Sequence, residues 1–334
     1  MAQDTKFYPS QNVSVWYQKE TEVGNQPDDA ALKKLQTTSF TIPEASVPVE
    51  YSSPRSGQFV TTASQGHHAQ GTKLWTFDTV LRGTPASVLL ATEAVFEDAS
   101  SEARLENNYS FPHATYKFGA GSASTFDIRF ENGGADSSDV NIECGACVGT
   151  GFTLSEDIGS EGGELVCTIN WATAMMPVHS STALGGTDAF DTGTPKNIRS
   201  LNAGTTVIDS EELVVQSWEL NVNRTIERIH YGDTTDGLYN PLGYAMTGGF
   251  EVTGSITCIR NDDVHDLLSK FHNSTTADIN IAESSNFAIA MNKTLLNEST
   301  VDNGGAVLTQ TIPFTVVSED DVSSTTKMLG ITIS

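Results

Sequence analysis

Positive charge is what this chain has least of. Its 334 residues carry 18 Lys and Arg against 42 Asp and Glu, a formal net charge of −24. That balance disfavours any partner gripped through its phosphates, because such binding draws on clustered cations. Long apolar runs are missing too: nothing approaches the roughly 18 consecutive apolar residues of a membrane-spanning helix, so no membrane partner is expected. The opening residues, Met1-Ala2-Gln3-Asp4-Thr5-Lys6, lack a basic stretch leading into an apolar segment, so no Sec-type secretion signal is expected. Cysteine is sparse, at Cys144, Cys147, Cys167 and Cys258. Cys144-Gly-Ala-Cys147 has the spacing of half a zinc knuckle, but no second Cys-x-x-Cys or His pair supplies the other two ligands, so no metal is expected. Cys167 and Cys258 sit in apolar strand patterns, where a thiol behaves as a small buried hydrophobe.

Catalytic groupings are equally thin. There is no Gly-x-Ser-x-Gly and no His-x-x-x-His; of the seven histidines only His67 and His68 are adjacent. Gly119-Ala120-Gly121-Ser122 and Gly248-Gly249 fit turns better than phosphate-binding loops. No catalytic residue, cofactor or enzymatic activity is expected. An enzyme would have to use scattered carboxylates such as Glu219 and Glu251, which read more simply as polar positions on neighbouring strands.

What is present is strand pattern. Val214–Asn223 alternates Ser217, Glu219 and Asn221 with Trp218, Leu220 and Val222. Phe250–Ile259 alternates Glu251, Thr253, Ser255 and Thr257 with Val252, Ile256 and Cys258. A period of two marks a half-buried strand, so the first set of each forms a polar sheet face and Trp218, Leu220, Val252 and Ile256 are core. Leu74–Leu81 is a strand with Trp75 and Phe77 as core, Leu165–Trp171 another ending on core Trp171, and Thr125–Phe130 and Val140–Leu154 two more, the last broken near Gly145 or Gly149. Thr84-Pro85 opens a helix with Val88, Leu89, Thr92 and Phe96 on one face, and Asn261 caps another carrying Val264, Leu267, Leu268 and Phe271. Asn286–Met291 and Leu308–Val317 close the chain as strands.

The resulting organisation is an arm over 1–45 with a short helix at Ala30–Leu35, a first β domain over 46–175, a linker or inserted loop over 176–211 and a second β domain over 212–334. Ser46–Gly71 reads as a long loop or flexible hairpin. Both halves run strand, capped helix, strand, Gly-rich turn, strand. A shift of about 178 residues lays Val80-Leu81-Arg82 on Cys258-Ile259-Arg260 and Leu89-Leu90 on Leu267-Leu268, the mark of an internal duplication.

Several segments resemble tail tube (major tail) proteins of long-tailed, non-contractile viruses of bacteria and archaea. These are Val15-Trp16-Tyr17-Gln18-Lys19-Glu20-Thr21-Glu22-Val23-Gly24, the run from Glu143-Cys144-Gly145-Ala146-Cys147 to Phe152-Thr153-Leu154 with Gly163–Trp171, and Gln216–Asn223 with Tyr244–Ile259. The resemblance implies a mainly β fold, a β-sandwich or split barrel with short flanking helices. It also implies assembly with copies of itself into stacked rings, whose inner sheets join into a cylinder around a DNA channel. A duplicated chain would supply six folds from three subunits, which favours a trimer with pseudo-sixfold symmetry over a hexamer. Other tail proteins would be partners, and viral DNA and a tape measure protein would pass through without sticking, in a virion tail assembled in the host cytoplasm. Sheet edges would be completed by neighbouring subunits, and an acidic lumen built from faces such as Ser217, Glu219, Asn221, Glu251, Thr253, Ser255 and Thr257 would repel phosphates. The loops 46–71 and 175–211 are longer than a minimal tube protein needs. The alternative reading is another β-rich virion or cell-surface protein, a decoration protein or a carbohydrate-binding adhesin.

Overall fold

The structure, a computed structural model, describes residues 13–24, 32–44, 49–51, 66–68, 73–96, 102–106, 115–117, 125–132, 141–160, 163–180, 197–230, 241–267, 270–271, 275–284, 287–317 and 327–333. The elements of the first half are β1 (Val13–Lys19), β2 (Lys33–Lys34), β3 (Thr37–Phe40), β4 (Val49–Tyr51), β5 (Gly66–His68), β6 (Trp75–Arg82), α1 (Pro85–Phe96), β7 (Glu102–Glu106), β8 (Thr115–Lys117), β9 (Phe126–Asn132), β10 (Asn141–Asp157), β11 (Val166–Thr173) and β12 (Val178–Ser180). Next come α2 (Ser200–Ala203), β13 (Thr206–Ile208), β14 (Glu211–Leu213), β15 (Val215–Asn223), β16 (Ile226–His230), β17 (Pro241–Met246), β18 (Glu251–Ile259), α3 (Asp262–Asp266), β19 (Ala277–Ser284), β20 (Phe287–Leu296), β21 (Thr300–Asp302), β22 (Thr309–Val316) and β23 (Lys327–Ile333). The fold is mainly β and its ladders are antiparallel, as expected of a β-sandwich.

One antiparallel sheet runs through both halves in the order β3, β6, β11, the C-terminal part of β10, β15, β18, β22, β21. Two further sheets pack over its apolar face: β2, β1, β9, the N-terminal part of β10 and β12, and β14, β13, β19, β20, β23, β7. The 17-residue strand β10 belongs to two sheets because bulges at Cys144/Cys147 and Gly149/Gly151 bend it, which is how an extra residue re-aims a strand. Aromatic edges fill the space between layers, with Phe77 against Phe130 at 5.5 Å, Phe126 against Trp171 at 5.5 Å and Phe96 against Phe152 at 5.5 Å.

The halves repeat one another in neighbour order. In the first, β3 pairs β6, β6 pairs β11, β11 pairs β10, β10 pairs β9 and β9 pairs β1. In the second, β15 pairs β18, β18 pairs β22, β22 pairs β20 and β21, β20 pairs β19 and β19 pairs β13. The hairpin β4–β5 stands where β16–β17 stands, and α1 follows β6 as α3 follows β18. A bulge at Thr37/Ser39 in β3 matches one at Val215/Ser217 in β15. The 178-residue shift needs adjusting at β6, since it lays half-exposed Val80 on buried Cys258. One residue less puts Leu81 on Cys258, both core, and Thr84 on Asn261, both helix caps.

Four segments differ from the sequence expectation. Residues 25–31 lie outside the described part, but the end of the expected helix at Ala30–Leu35 is extended: Lys33 and Lys34 pair with Tyr17 and Trp16, Leu35 N–H donates to Val15 O at 2.8 Å, and Lys34 Nζ lies 5.7 Å from the Trp16 ring centroid. Tertiary pairing overrides a weak helical pattern there. The arm is therefore not separate, because β1 pairs with β9 over its whole length and Val15 and Trp16 are buried. Of the expected linker 176–211, residues 181–196 lie outside the described part, while buried Ile198, α2 and β13 are built into the fold. The chain closes not on Leu308–Val317 but on β23, and β19, whose Ile279 and Ile281 are buried between exposed Asp278 and Asn280, is a strand the pattern reading passed over. At 46–71, read as a long loop or flexible hairpin, β4 and β5 pair as a hairpin, with residues 52–65 outside the described part.

Candidate functional site

Residues directly opposite in an antiparallel pair point to the same side of the sheet. That rule sorts the continuous sheet into two faces. Ser217 lies opposite Thr257, Glu219 opposite Ser255, Asn221 opposite Thr253 and Asn223 opposite Glu251, so all seven polar candidates share one face. Glu219 and Glu251 are exposed and the other five half-buried. On the other face Trp218 lies opposite Ile256 and Val222 opposite Val252, with Leu220 between them. Farther along, Phe77 lies opposite Trp171, with Trp75 two residues before it. All seven core candidates, Trp75, Phe77, Trp171, Trp218, Leu220, Val252 and Ile256, are 4% exposed or less.

The polar face is larger than the sequence reading drew it. Thr153, Ser155 and Asp157 on β10 lie opposite Asn221, Glu219 and Ser217. Asp78 lies opposite Asn170 and Val80 opposite Thr168, and Thr311, Thr315 and Asp302 continue the face across β22 and β21. Its hydrogen bonds run between strands as well as along them. Thr153 Oγ1 donates to Asn221 Oδ1 at 2.6 Å, Asn221 Nδ2 to Glu219 Oε1 at 2.6 Å, and the Thr257 and Thr311 hydroxyls meet at 2.9 Å. Among the described strand residues of this face, Asp78, Asp157, Glu219, Glu251 and Asp302 stand against one cation, Arg82. Arg82 is itself ion-paired, donating to Glu164 at 2.8 Å while Arg199 donates to the other Glu164 oxygen at 2.7 Å. The side-chain hydrogen bonds from Arg82 and then Arg199 pull the Glu164 pKa down to about 2. The face is thus a continuous, water-facing surface with a negative balance.

Two buried glutamates hold the scaffold behind it, and the sequence reading picked out neither. Glu156, pointing away from the polar face, accepts from Ser200 N–H at 3.0 Å, Ser200 Oγ at 2.5 Å and Leu201 N–H at 2.9 Å, tying α2 to β10. Trp218 Nε1 joins the cluster, donating to Ser200 Oγ at 3.0 Å. Glu20 accepts from Ala146 N–H at 2.8 Å, Gly24 N–H at 2.9 Å and Thr125 Oγ1 at 2.8 Å. Desolvation raises both carboxyl pKa values, and the donors only partly oppose it. The signal of Glu156 in the sequence is an acidic residue inside a strand at an apolar-phase position, after Phe152 and Leu154, whereas Glu20 lies just past the end of β1.

Cys144-Gly-Ala-Cys147 forms the bulge of β10. Ala146 has φ 51°, a left-handed conformation uncommon for a residue with a Cβ, and Glu20 and Tyr244 hold it there, Tyr244 Oη donating to Ala146 O at 2.5 Å. Both thiols are buried, Cys147 Sγ donating to Cys144 O at 3.1 Å, and burial raises both pKa values. Tyr244 comes from the second half, as does Arg224, whose guanidinium donates to Gly149 O at 2.7 Å and to Ala94 O at 3.0 Å. Among the described residues no helix is long and apolar enough to cross a membrane, and no group of three or more His, Cys, Asp or Glu is placed to hold a metal.

No curated protein matches the sequence. The sequence pattern of the family described as phage tail tube protein matches residues 10–316, spanning β1 to β22. The chain belongs to that family of structural proteins of the virion tail.

Proposed function

We propose that the protein polymerises into stacked rings around a DNA-conducting channel, with the face of Ser217, Glu219, Asn221, Glu251, Thr253, Ser255 and Thr257 lining the bore. The observation that carries this reading is the single sheet of eight strands with one apolar, covered face and one polar, acidic, open face. Carboxylates without clustered cations repel phosphates at short range, so DNA slides past rather than binds. The repeated neighbour order supports three subunits per ring, each giving two copies of the fold, with the repeats drawn from 46–175 with its N-terminal strands and 212–334. Exposed Ile158, Val214 and Leu308 share one rim of the sheet, since Ile158 N–H donates to Gln216 O and Arg260 N–H to Leu308 O there. A stacked ring would cover them. The tape measure protein and other tail proteins would be partners of the assembled tube, put together in the host cytoplasm.

Negative-stain images of the purified protein test this. Rings or tubes with three copies per layer and sixfold modulation are expected; discrete monomers at every salt and protein concentration overturn it.

A further inference from the structure

Cations are scarce in this chain, yet three of them meet on two neighbouring strands. Lys33 and Lys34 make up β2 and lie opposite Tyr17 and Trp16 of β1, which ends on Lys19. Opposite residues of a ladder share a face, as do residues two apart along a strand. Tyr17, Lys19 and Lys33 therefore stand on one side of the sheet, together with Phe126, which lies opposite Lys19. Lys34 stands on the other side, 5.7 Å from the Trp16 ring centroid.

The side of Tyr17 opens into a pocket of about 260 Å³ between β1, β2, β9 and α1, lined by Tyr17, Gln18, Lys19, Lys33, Glu93 and Phe126. It lies behind the continuous sheet, because Phe126 meets Trp171, a residue of the covered face, at 5.5 Å. Pockets for small molecules run from roughly 300 to 1,000 Å³, so this one has room for a single side chain of a docked segment. Its charged groups are Lys19 and Lys33 against Glu93, a balance of one positive charge. Lys19 Nζ is paired with Glu93 Oε1 at 2.5 Å, whereas Lys33 is exposed and has no ion pair among the described residues. Burial, and then the Glu93 charge, push the Tyr17 pKa up to about 12, so its phenol keeps its proton and is a hydrogen-bond donor. An uncompensated ammonium, a phenol donor and the Phe126 ring together recognise a carboxylate carried on an aliphatic stem, which is a glutamate side chain.

We propose that this pocket docks a glutamate side chain from an acidic segment of a different protein of the virion tail, held by Lys33 with Lys19 beside it. Charge complementarity selects the acid. The same charges make a second copy of this chain the poorer partner, since two bodies at −24 each repel on approach. The pocket is also remote from the exposed apolar rim: Phe126 lies opposite Cys147, and β10 runs on to Asp157 before Ile158 is reached. The site does not depend on how copies of the chain join into a ring.

Ligand-observed saturation-transfer NMR on the full chain tests the site, with the blocked peptide acetyl-Ala-Ala-Glu-Ala-Ala-amide as probe and its Gln analogue as control. The Glu peptide is expected to bind saturably and the Gln peptide not. Lys33→Gln is expected to weaken the Glu peptide at least about tenfold with an unchanged unfolding curve. Lys34→Gln, next in sequence but on the other side of the sheet, is expected to leave binding as it was. No saturable binding of the Glu peptide, equal binding of the Gln peptide, or equal losses from the two lysine variants overturn the pocket. Carbodiimide treatment of a concentrated mixture of copies labelled with light and heavy nitrogen is expected to give no amide between Lys33 and a carboxylate of another copy. Such an amide overturns the choice of a foreign partner. All of these results leave the tube reading standing, since that is decided by whether rings form.

Discussion

Strand β10 and its counterpart β20–β21 show what each half of the molecule does with the same plan. β10 runs unbroken for 17 residues and is covered on both edges of its C-terminal part, by β11 and by β15. Its counterpart is interrupted between Leu296 and Thr300, and its last three residues are all exposed. The first half thus finds in the second half a neighbour that β21 does not have among the described residues. A fold repeated in tandem satisfies its own edge once and presents it once, which is the condition for polymerising rather than ending as a closed monomer.

The largest expected break in this comparison comes from truncating the equivalent apolar pair one at a time. Leu154→Ala removes a fully buried side chain and should cost about 2–5 kcal/mol in denaturant unfolding of the dispersed chain. Val301→Ala should stay within about 0.5 kcal/mol in the same assay. Equal costs would mean that β21 is already covered inside the monomer.

A smaller effect is expected where the halves differ in packing. Phe77 and Trp171 face each other in the first half, and Gly254 with Phe314 takes their place in the second. A Cβ on Gly254 would sit 2.2 Å from Glu219 O and 2.4 Å from Phe314 Cζ, so the strand is close-packed against backbone there. Gly254→Ala should lower stability by about 1–3 kcal/mol through forced shifts, read as a fall in denaturation midpoint. An unchanged midpoint would show that both the β15 backbone at Glu219 and the ring of Phe314 give way without cost.

Two pH tests follow, both weaker. Burial raises the Glu156 carboxyl pKa, so the folded state holds that proton more tightly than the unfolded chain does, whose value is about 4.3. The contribution is complete below that value and lost as pH rises through the folded pKa. Relative to Glu156→Gln, wild type should therefore lose stability as pH rises from about 4 toward neutrality. A parallel pair of curves would place the carboxyl in contact with water. Glu164 runs the other way. Its pKa falls to about 2 through hydrogen bonds from Arg82 and Arg199, so its contribution is present above about 4.3 and lost as pH drops through about 2. Both arginines are about half exposed, so the gap between wild type and Glu164→Gln should be small and should close in acid. A gap that widens in acid would sink the assignment.

The strands that carry the polar face were legible because their alternation is strict. Ser217, Glu219 and Asn221 and their partners Glu251 to Thr257 come straight from a period of two, and the caps Thr84 and Asn261 mark their helices at the residues where the helices begin. β19 carries the same alternation but lies between two better-marked segments. The residues 33–34 were misread because a short helical spacing yields to strand pairing when a buried Trp16 stands opposite. Glu20 and Glu156 could not be assigned, since a buried carboxylate is stable only through donors at Ala146 and Ser200, 126 and 44 positions away.

Side-chain alternation along a strand follows from the local geometry of the backbone, so the sequence alone determined which residues of the marked strands share a face, that helices start after Thr84 and Asn261 and that the chain repeats itself. Which strand lies beside which is decided by contacts between distant segments competing for the same edges. Only the tertiary structure could therefore show that β10 is joined by β15, that one sheet spans both halves, and that β3 and β21 are the two margins left over.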